Sequence, residues 1–548
     1  MIKKLLLLLC FIPFAHAKTT LIYNVNGYTF EQGKLVQFHA IKFSDDTIDQ
    51  IYFKHQALPK DTTIEKIDGK GQTMLPGLID AHGHVLGYGE SLQYANLMGA
   101  KSEQEAVDIV TAFASEKSDT AWVKGRGWNQ VLWPSKQFPS KALLDEKFPN
   151  TPVWLERVDG HAGWANSKAL SIAGITKTTI SPAGGEIIKD KNGEPTGVLI
   201  DNAMDMVKQY IPKMDLADIA DILQQSMQSL ASVGLTSVHD AGISKAELEA
   251  YKFLELNGKM PIRIYAMVHV NEPQWQQIVE KGPIHTKDDM FTLAAIKIQA
   301  DGALGSRGAA LHAPYSDQHD TTGLLLQSPQ TTHKMALAAM LAGFQVNIHA
   351  IGDKANTLVL DVFEQQIKAT NSAHLRHRNE HAQVVRPEEI KRFNALNVIA
   401  SIQPTHATSD KNMALDRLGA ERLKGAYAWR TLLNNGARIA AGSDFPVEPP
   451  HPFYGIHAAV TRQDRDNQPE QGWISEERLT LEEAFKAFTV DAAYAANQDT
   501  LIGTLTPGKK ADFIMLEQDL FTQEPSSIWK NEIHATWVNG KKVFQRKP

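Results

Sequence analysis

The stretch Leu75-Pro76-Gly77-Leu78-Ile79-Asp80-Ala81-His82-Gly83-His84 decides how the rest of the chain is read. Leu78 and Ile79 carry the backbone through an apolar region, and the segment ends on two histidines one residue apart. In an extended strand, residues i and i+2 project to the same side. His82 and His84 therefore aim at one spot, and a strand end holds them rigidly. Two converging imidazoles suit a divalent metal such as zinc. Alone, such a pair is more often two hydrogen-bonded or surface histidines, so its meaning depends on what the other strand ends carry.

Seven further apolar runs end in the same way. With Leu78 to His84 they are Leu235 to Asp240, Ile262 to His269, Ala294 to Ala300, Gln345 to His349, Arg378 to His381, Val398 to Gln403 and Arg438 to Asp444. Amphipathic segments of helix length, such as Asp215 to Ser232 and His333 to Ala342, lie between most of them. Eight strand–helix units predict an α/β architecture, a (β/α)8 TIM barrel whose C-terminal strand ends form the active-site face. Those ends bring His82, His84, Lys297, His349, His381 and Asp444 together. Gln403 and His406 close the seventh unit, Arg307 sits in a Gly-rich loop after the Lys297 strand, and His239 and Asp240 end the second strand.

Outward from the barrel, residues 18–74 are rich in β-branched and aromatic residues broken by turn signals. The far end matches, with Ala511 to Leu516 and a hairpin of Ala535 to Val538 and Lys541 to Phe544 around Asn539-Gly540. Neither end has enough strands for a core of its own. The prediction is a small β-sandwich domain built from 18–74 and 500–548, clasping a barrel over 75–499. The gap of about 85–230 is too long for one βα connection and reads as an inserted lid or subdomain after the first barrel strand. It holds Trp122, Trp128, Trp133, Trp154 and Trp164, which form either an apolar pocket wall or a subdomain core. Trp128 and His161 are the substrate-contact candidates there.

The first 17 residues have the plan of a secretory signal: Lys3 and Lys4, an apolar run from Leu5 to Phe14, and Ala15-His16-Ala17 as the cleavage site. That run is too short to span a membrane. The expected product is an exported chain beginning near Lys18, with the periplasm as its expected address and no stable membrane anchor. The single cysteine, Cys10, falls inside the signal, so the mature chain relies on its core rather than on disulfides. Hydrophobic content of 43%, charged content of 22% and a formal charge of −6 fit a globular protein and argue against a nucleic-acid partner. Oligomeric state stays open, a homodimer included.

The strand-end residues, with Asp159-Gly160-His161, Ala300-Asp301-Gly302-Ala303-Leu304-Gly305-Ser306-Arg307, Gln403-Pro404-Thr405-His406 and Pro507-Gly508-Lys509-Lys510-Ala511-Asp512, resemble the amidohydrolase superfamily. The resemblance is greatest to the long members grouped as amidohydrolase family 3, which include N-substituted formamide deformylase, and it covers essentially the whole mature chain. It implies a barrel with a small β-sandwich, and it implies that a lysine placed like Lys297 marks a two-metal site. A buried lysine has a lowered pKa, and its neutral amine can take up carbon dioxide as a metal-bridging carbamate. The alternative is a lysine paired with Asp301 or Asp240. By the same resemblance His82, His84 and Asp444 hold one metal, His349 and His381 the other, and Lys297 bridges them. One or two divalent ions, zinc first among them, are expected. Trp128, His161, Arg307, Gln403 and His406 are expected to contact substrate.

The function this implies is metal-dependent hydrolysis of a non-peptide C–N bond in a small molecule, of amide or formamide type, with Asp444 as acid–base group. The rivals are a mononuclear deaminase, a lactonase or esterase on the same scaffold, and a metal-binding protein without catalysis.

Overall fold

The computed structural model describes residues 18–116, 121–158, 160, 162–182, 185–212 and 214–547. The expected secretory signal lies outside them.

All eight anticipated barrel strands form. They are Leu78–Gly83, Leu235–Ile243, Arg263–His269, Phe291–Gln299, Gln345–Ala350, Arg378–His381, Ile399–Ile402 and Ile439–Ala441. They pair in that order, each neighbour parallel to the last. Helices cover the outside while side chains fill the interior, so nearly every strand residue is buried whichever way it points. This is why the strands read as continuous apolar runs rather than as alternations.

The last strand meets the first through the backbone of the candidate site itself. Asp444 donates its N–H to the His82 carbonyl at 2.7 Å, and His84 donates to the Phe445 carbonyl at 2.8 Å. Gly442 makes the approach feasible. A Cβ there would lie 2.4 Å from an Asp80 carboxylate oxygen and 2.5 Å from the His82 nitrogen, so only hydrogen fits.

The two ends of the chain join in one eight-stranded sheet. Phe513–Leu516 pairs antiparallel with Thr73–Pro76, and the closing hairpin of Ile533–Val538 and Lys541–Gln545 extends it. Asn539 and Gly540 both have positive φ, as a two-residue hairpin turn requires. The hydrogen bonding follows one path with Glu65–Asp68 as a side branch, and Phe43 packs against Phe513 and Trp537 across it. The path bends at an irregularity between Tyr23 and Gly27 that lets the long first strand pair with Glu65–Asp68 and then with Thr73–Pro76. Arg263, buried at the start of the third barrel strand, forms an ion pair with Asp512 at 2.8 Å and ties this sheet to the barrel.

Between the first and second barrel strands the chain builds a second sheet of six strands. It contains Ala95–Asn96, Val123–Trp128, Val153–Arg157, Ala162–Ala165, Gly185–Lys189 and Pro195–Asp201. All five tryptophans are buried inside it. Trp128, Trp133 and Trp164 stack edge to face and donate their indole N–H groups to the carbonyls of Leu155, Ala100 and Ser140. The expectation that Trp128 contacts substrate is therefore corrected. It is 0% exposed and presents no surface to a ligand; its large ring is the centre of a subdomain core.

Trp128→Ala is expected to destabilise the insertion by about 3–5 kcal/mol through lost burial and the cavity left behind. Denaturant unfolding followed by tryptophan fluorescence measures this. A loss below about 1 kcal/mol would contradict the core assignment.

Candidate metal centre

His82 arrives at the C-terminal end of the first strand, fully buried. Its Nδ1 lies 2.6 Å from a carboxylate oxygen of Glu380. A carboxylate only accepts, so Nδ1 carries the proton and Nε2 keeps its lone pair. Nε2 faces Lys297 Nζ at 3.1 Å and an Asp444 oxygen at 3.6 Å. His381 is set up in the same way. Its Nδ1 donates to the Gln403 side-chain oxygen at 2.7 Å, freeing its own Nε2. Ligand atoms of His82, His381 and Asp444 lie within 4.8 Å of one another.

The other expected ligands surround this trio. His84 Nε2 is 3.2 Å from an Asp444 oxygen. The His349 ring lies 4.5 Å from that of His381, and the His82 and His381 rings are 4.8 Å apart. The tightest group thus cuts across the expected partition, joining His381 to His82 and Asp444. His349 and His406 each hold a buried Nε2 with no hydrogen-bond partner among the described residues. Converging lone pairs and unpartnered buried nitrogens are the donor set a divalent metal needs, so these residues fit one.

Electrostatics keep the donors ready. Burial, helped by the Lys297 charge, pulls His82 down to about 4, and burial holds His381 well below the usual imidazole range. The neutral imidazole is the form that ligates. Burial opposes ionisation of Asp444, yet the flanking His84, His82 and His381 hold its carboxyl well below the usual range. Burial pulls the Lys297 amine down as well. No carboxylate lies within ion-pair distance of Lys297 among the described residues. Asp301 accepts backbone N–H groups of Ala310, Ile351 and Gly352, and Asp240 accepts from Tyr251 and Val85. The alternative of a simple Lys–Asp pair is removed.

Backbone strain marks the same place. His381 has φ of 75° and Asp444 φ of 61°, in the left-handed region that non-glycine residues avoid. Arg378 and Glu380 are two apart and both reach His82 or its carbonyl neighbour Ala81. Simple alternation would send His381 to the opposite side, and its unusual φ accompanies the turn that puts its ring beside His82.

Several expectations change. Arg307 pairs with Asp317 through two hydrogen bonds, 3.2 and 2.9 Å, in a part-exposed cluster shared with Arg417. It is a structural ion pair rather than a substrate contact. Gln403 spends its carbonyl on His381 and so positions a ligand. His406 does reach the centre, its Nε2 3.7 Å from an Asp444 oxygen. His161 lies outside the described residues. His239 is buried against Arg378 at 2.8 Å, supporting the Arg378–Glu380–His82 chain. Sequence reading passed over Glu380 and Asp80. Two opposite charges inside a four-residue buried strand, Arg378 and Glu380, were the available signal for the first.

The comparisons with known proteins agree with this geometry. A model described as the amidohydrolase family matches residues 65–544. Putative amidohydrolase YtcJ of Bacillus subtilis (strain 168) is 34% identical over 489 residues, covering 88% of this chain and 91% of that protein. N-substituted formamide deformylase of Arthrobacter pascens is 26% identical over 495 residues, covering 88% and 90%. Among solved structures, an uncharacterized metal-dependent hydrolase from Pyrococcus horikoshii OT3 superposes with a TM-score of 0.76 at 26% identity, covering 93% of this chain and 99% of that one. The chain belongs to amidohydrolase family 3, and its His82, His381 and Asp444 form a group that could hold a metal ion.

Glu380→Gln removes the charge that fixes the His82 tautomer while keeping the shape. Zinc affinity, measured by competition with a chromophoric chelator, is expected to fall about 10- to 100-fold. Unchanged affinity would mean that Glu380 does not orient a ligand.

Proposed function

We propose that this chain is an exported hydrolase that cleaves a non-peptide C–N bond, of amide or formamide type, in a small molecule. The observation that carries the reading is the convergence of His82, His381, Asp444 and Lys297 at one end of the barrel, with Lys297 free of any carboxylate partner among the described residues. An exported address rests on the first 17 residues. Among the described residues no helix is long and apolar enough to cross a membrane.

His82, His84, His381, His349 and Asp444 would hold zinc, one or two ions per chain. Lys297, as a carbamate, would be a further ligand if two ions are held. A divalent ion in this site supplies a Lewis acid for the substrate carbonyl and lowers the pKa of water from 15.7 to about 7. The chain's own groups do the rest. Asp444 takes the proton of the attacking water on a carboxylate oxygen and hands it to the departing amine nitrogen. Glu380 and Gln403 hold His82 and His381 in the ligating tautomer. His406, with its unpartnered Nε2, is placed to hydrogen-bond the substrate carbonyl or leaving group. The name of the formamide deformylase relative supports formamides and N-acyl amines as the first compounds to try.

The test is amine release from a panel of N-formyl and N-acetyl amines by the zinc-loaded protein and by Asp444→Asn. Wild type is expected to release amine. The variant is expected to lose about a thousandfold in kcat while keeping its metal. Turnover in the variant within tenfold of wild type would remove Asp444 from the acid–base role. Hydrolysis of esters or lactones with no amide cleaved would contradict the C–N assignment.

A further inference from the structure

A cleft of about 410 Å³ opens between the insertion and the barrel. One wall comes from the insertion and includes Met98, Arg126 and Val158. The other comes from two segments that leave the metal ligands directly. The helix Val85–Leu92, which begins at His84, supplies Tyr88 and Leu92, and the loop after Asp444 supplies Pro446. Tyr88 packs edge-on against Phe445, 5.4 Å between ring centroids. The lining is mainly apolar, and Leu92 and Met98 expose 44% and 49% of their surface.

Two charged groups line this cleft, Arg126 and Glu448. Arg126 is half-buried, and among the described residues its guanidinium makes one hydrogen bond, 3.4 Å to the Val158 carbonyl. No carboxylate lies within 4.0 Å of it among the described residues. The acids around it are otherwise engaged. Glu156 pairs with Lys208 at 2.7 Å, Glu90 accepts from the Tyr94 hydroxyl at 3.2 Å, and Glu448 accepts from the Ser409 hydroxyl at 2.6 Å. Burial also pushes the Glu90 and Glu448 carboxyls up, towards the neutral form. A guanidinium presents a fork of donors that matches a carboxylate in geometry and charge. In a cleft with apolar walls such a pair gains strength, because water competes less.

We propose that this cleft is a substrate subsite for an apolar group bearing a carboxylate, with Arg126 pairing to that carboxylate. The class of substrate is then an amide whose apolar body carries an acid, placed so that its C–N bond reaches the metal centre. This deepens the amide-hydrolase reading and rests on it for the bond cleaved, but the anion subsite is tested independently of turnover. Arg126 is a binding residue that sets specificity; it touches no reacting atom.

The test is equilibrium binding of 3-phenylpropanoate and of its uncharged analogue 3-phenylpropan-1-ol to the zinc-loaded full chain by calorimetry. Wild type is expected to prefer the acid by about tenfold or more, the range of one charge-assisted hydrogen-bonded pair. The preference should collapse in Arg126→Gln and be retained in part by Arg126→Lys, whose charge is kept. Melting curves of both variants show whether they fold. No preference in wild type, absence of binding by either compound, or an unchanged preference in Arg126→Gln would overturn the subsite; the last result places the carboxylate at the metal. In parallel, N-formylphenylalanine and N-formylphenethylamine, which differ only in the carboxylate, are compared as substrates. The acid is expected to be the better one, through KM, and the difference should vanish in Arg126→Gln. Arg126-dependent binding of the acid with no cleavage of either amide would leave the subsite standing and remove the amide reading instead.

Discussion

Asp80 joins the two edges of the barrel, and the site depends on that seam. Its carboxylate accepts the backbone N–H of His82 from the first strand at 3.0 Å, and the backbone N–H and hydroxyl of Ser443 from the eighth strand's end at 3.1 and 2.6 Å. Two backbone hydrogen bonds between His82, His84, Asp444 and Phe445 continue the join. The residues that close the barrel are therefore the residues that would ligate the metal, or their neighbours. Ring closure and site geometry are one constraint. Burial pushes the Asp80 carboxyl up to about 7 despite these donors, so the group sits close to a change of charge while holding the seam.

The seam delivers a cluster of polar groups that an apolar core would not tolerate unpaired. Each is held by another. Arg378 neutralises Glu380, Glu380 fixes His82, Gln403 fixes His381, and His239 backs Arg378. The layers run outward from ligand to supporting carboxylate or amide to a buried cation, as in metal sites where outer hydrogen bonds set ligand orientation. Lys297 stands at the centre with no carboxylate within ion-pair distance among the described residues, at 2% exposure. Burying a lysine unpaired is costly, and a purely structural role gives no return on it. A role in holding metal does.

Much of this was legible in the chain because parallel barrel strands are apolar runs with function at one end. His82, His84, Lys297, His349 and Asp444 lie at the ends of such runs, whereas His381 ends the polar strand Arg378–His381, and all lie together. What stayed hidden depended on direction rather than on residue type. The inward turn of His381 goes with a positive φ that no spacing rule contains. Trp128 and its companions have the composition of a pocket wall and the burial of a core; only packing separates the two. Arg307 finds Asp317 ten residues later in a loop whose path the sequence does not describe. Arg126 lies in a short glycine-flanked strand of the insertion, and its lack of a partner is a property of the folded surroundings.

These residues would form a metal centre organised around Lys297. Metal content per chain, determined by elemental analysis on protein loaded with zinc with and without bicarbonate, tests it most directly when Lys297→Ala is run alongside. About two ions per wild-type chain, dependent on bicarbonate, and a clear drop in the variant are expected. A single ion indifferent to Lys297 would contradict the bridged pair, and no bound metal under any loading would contradict the centre itself.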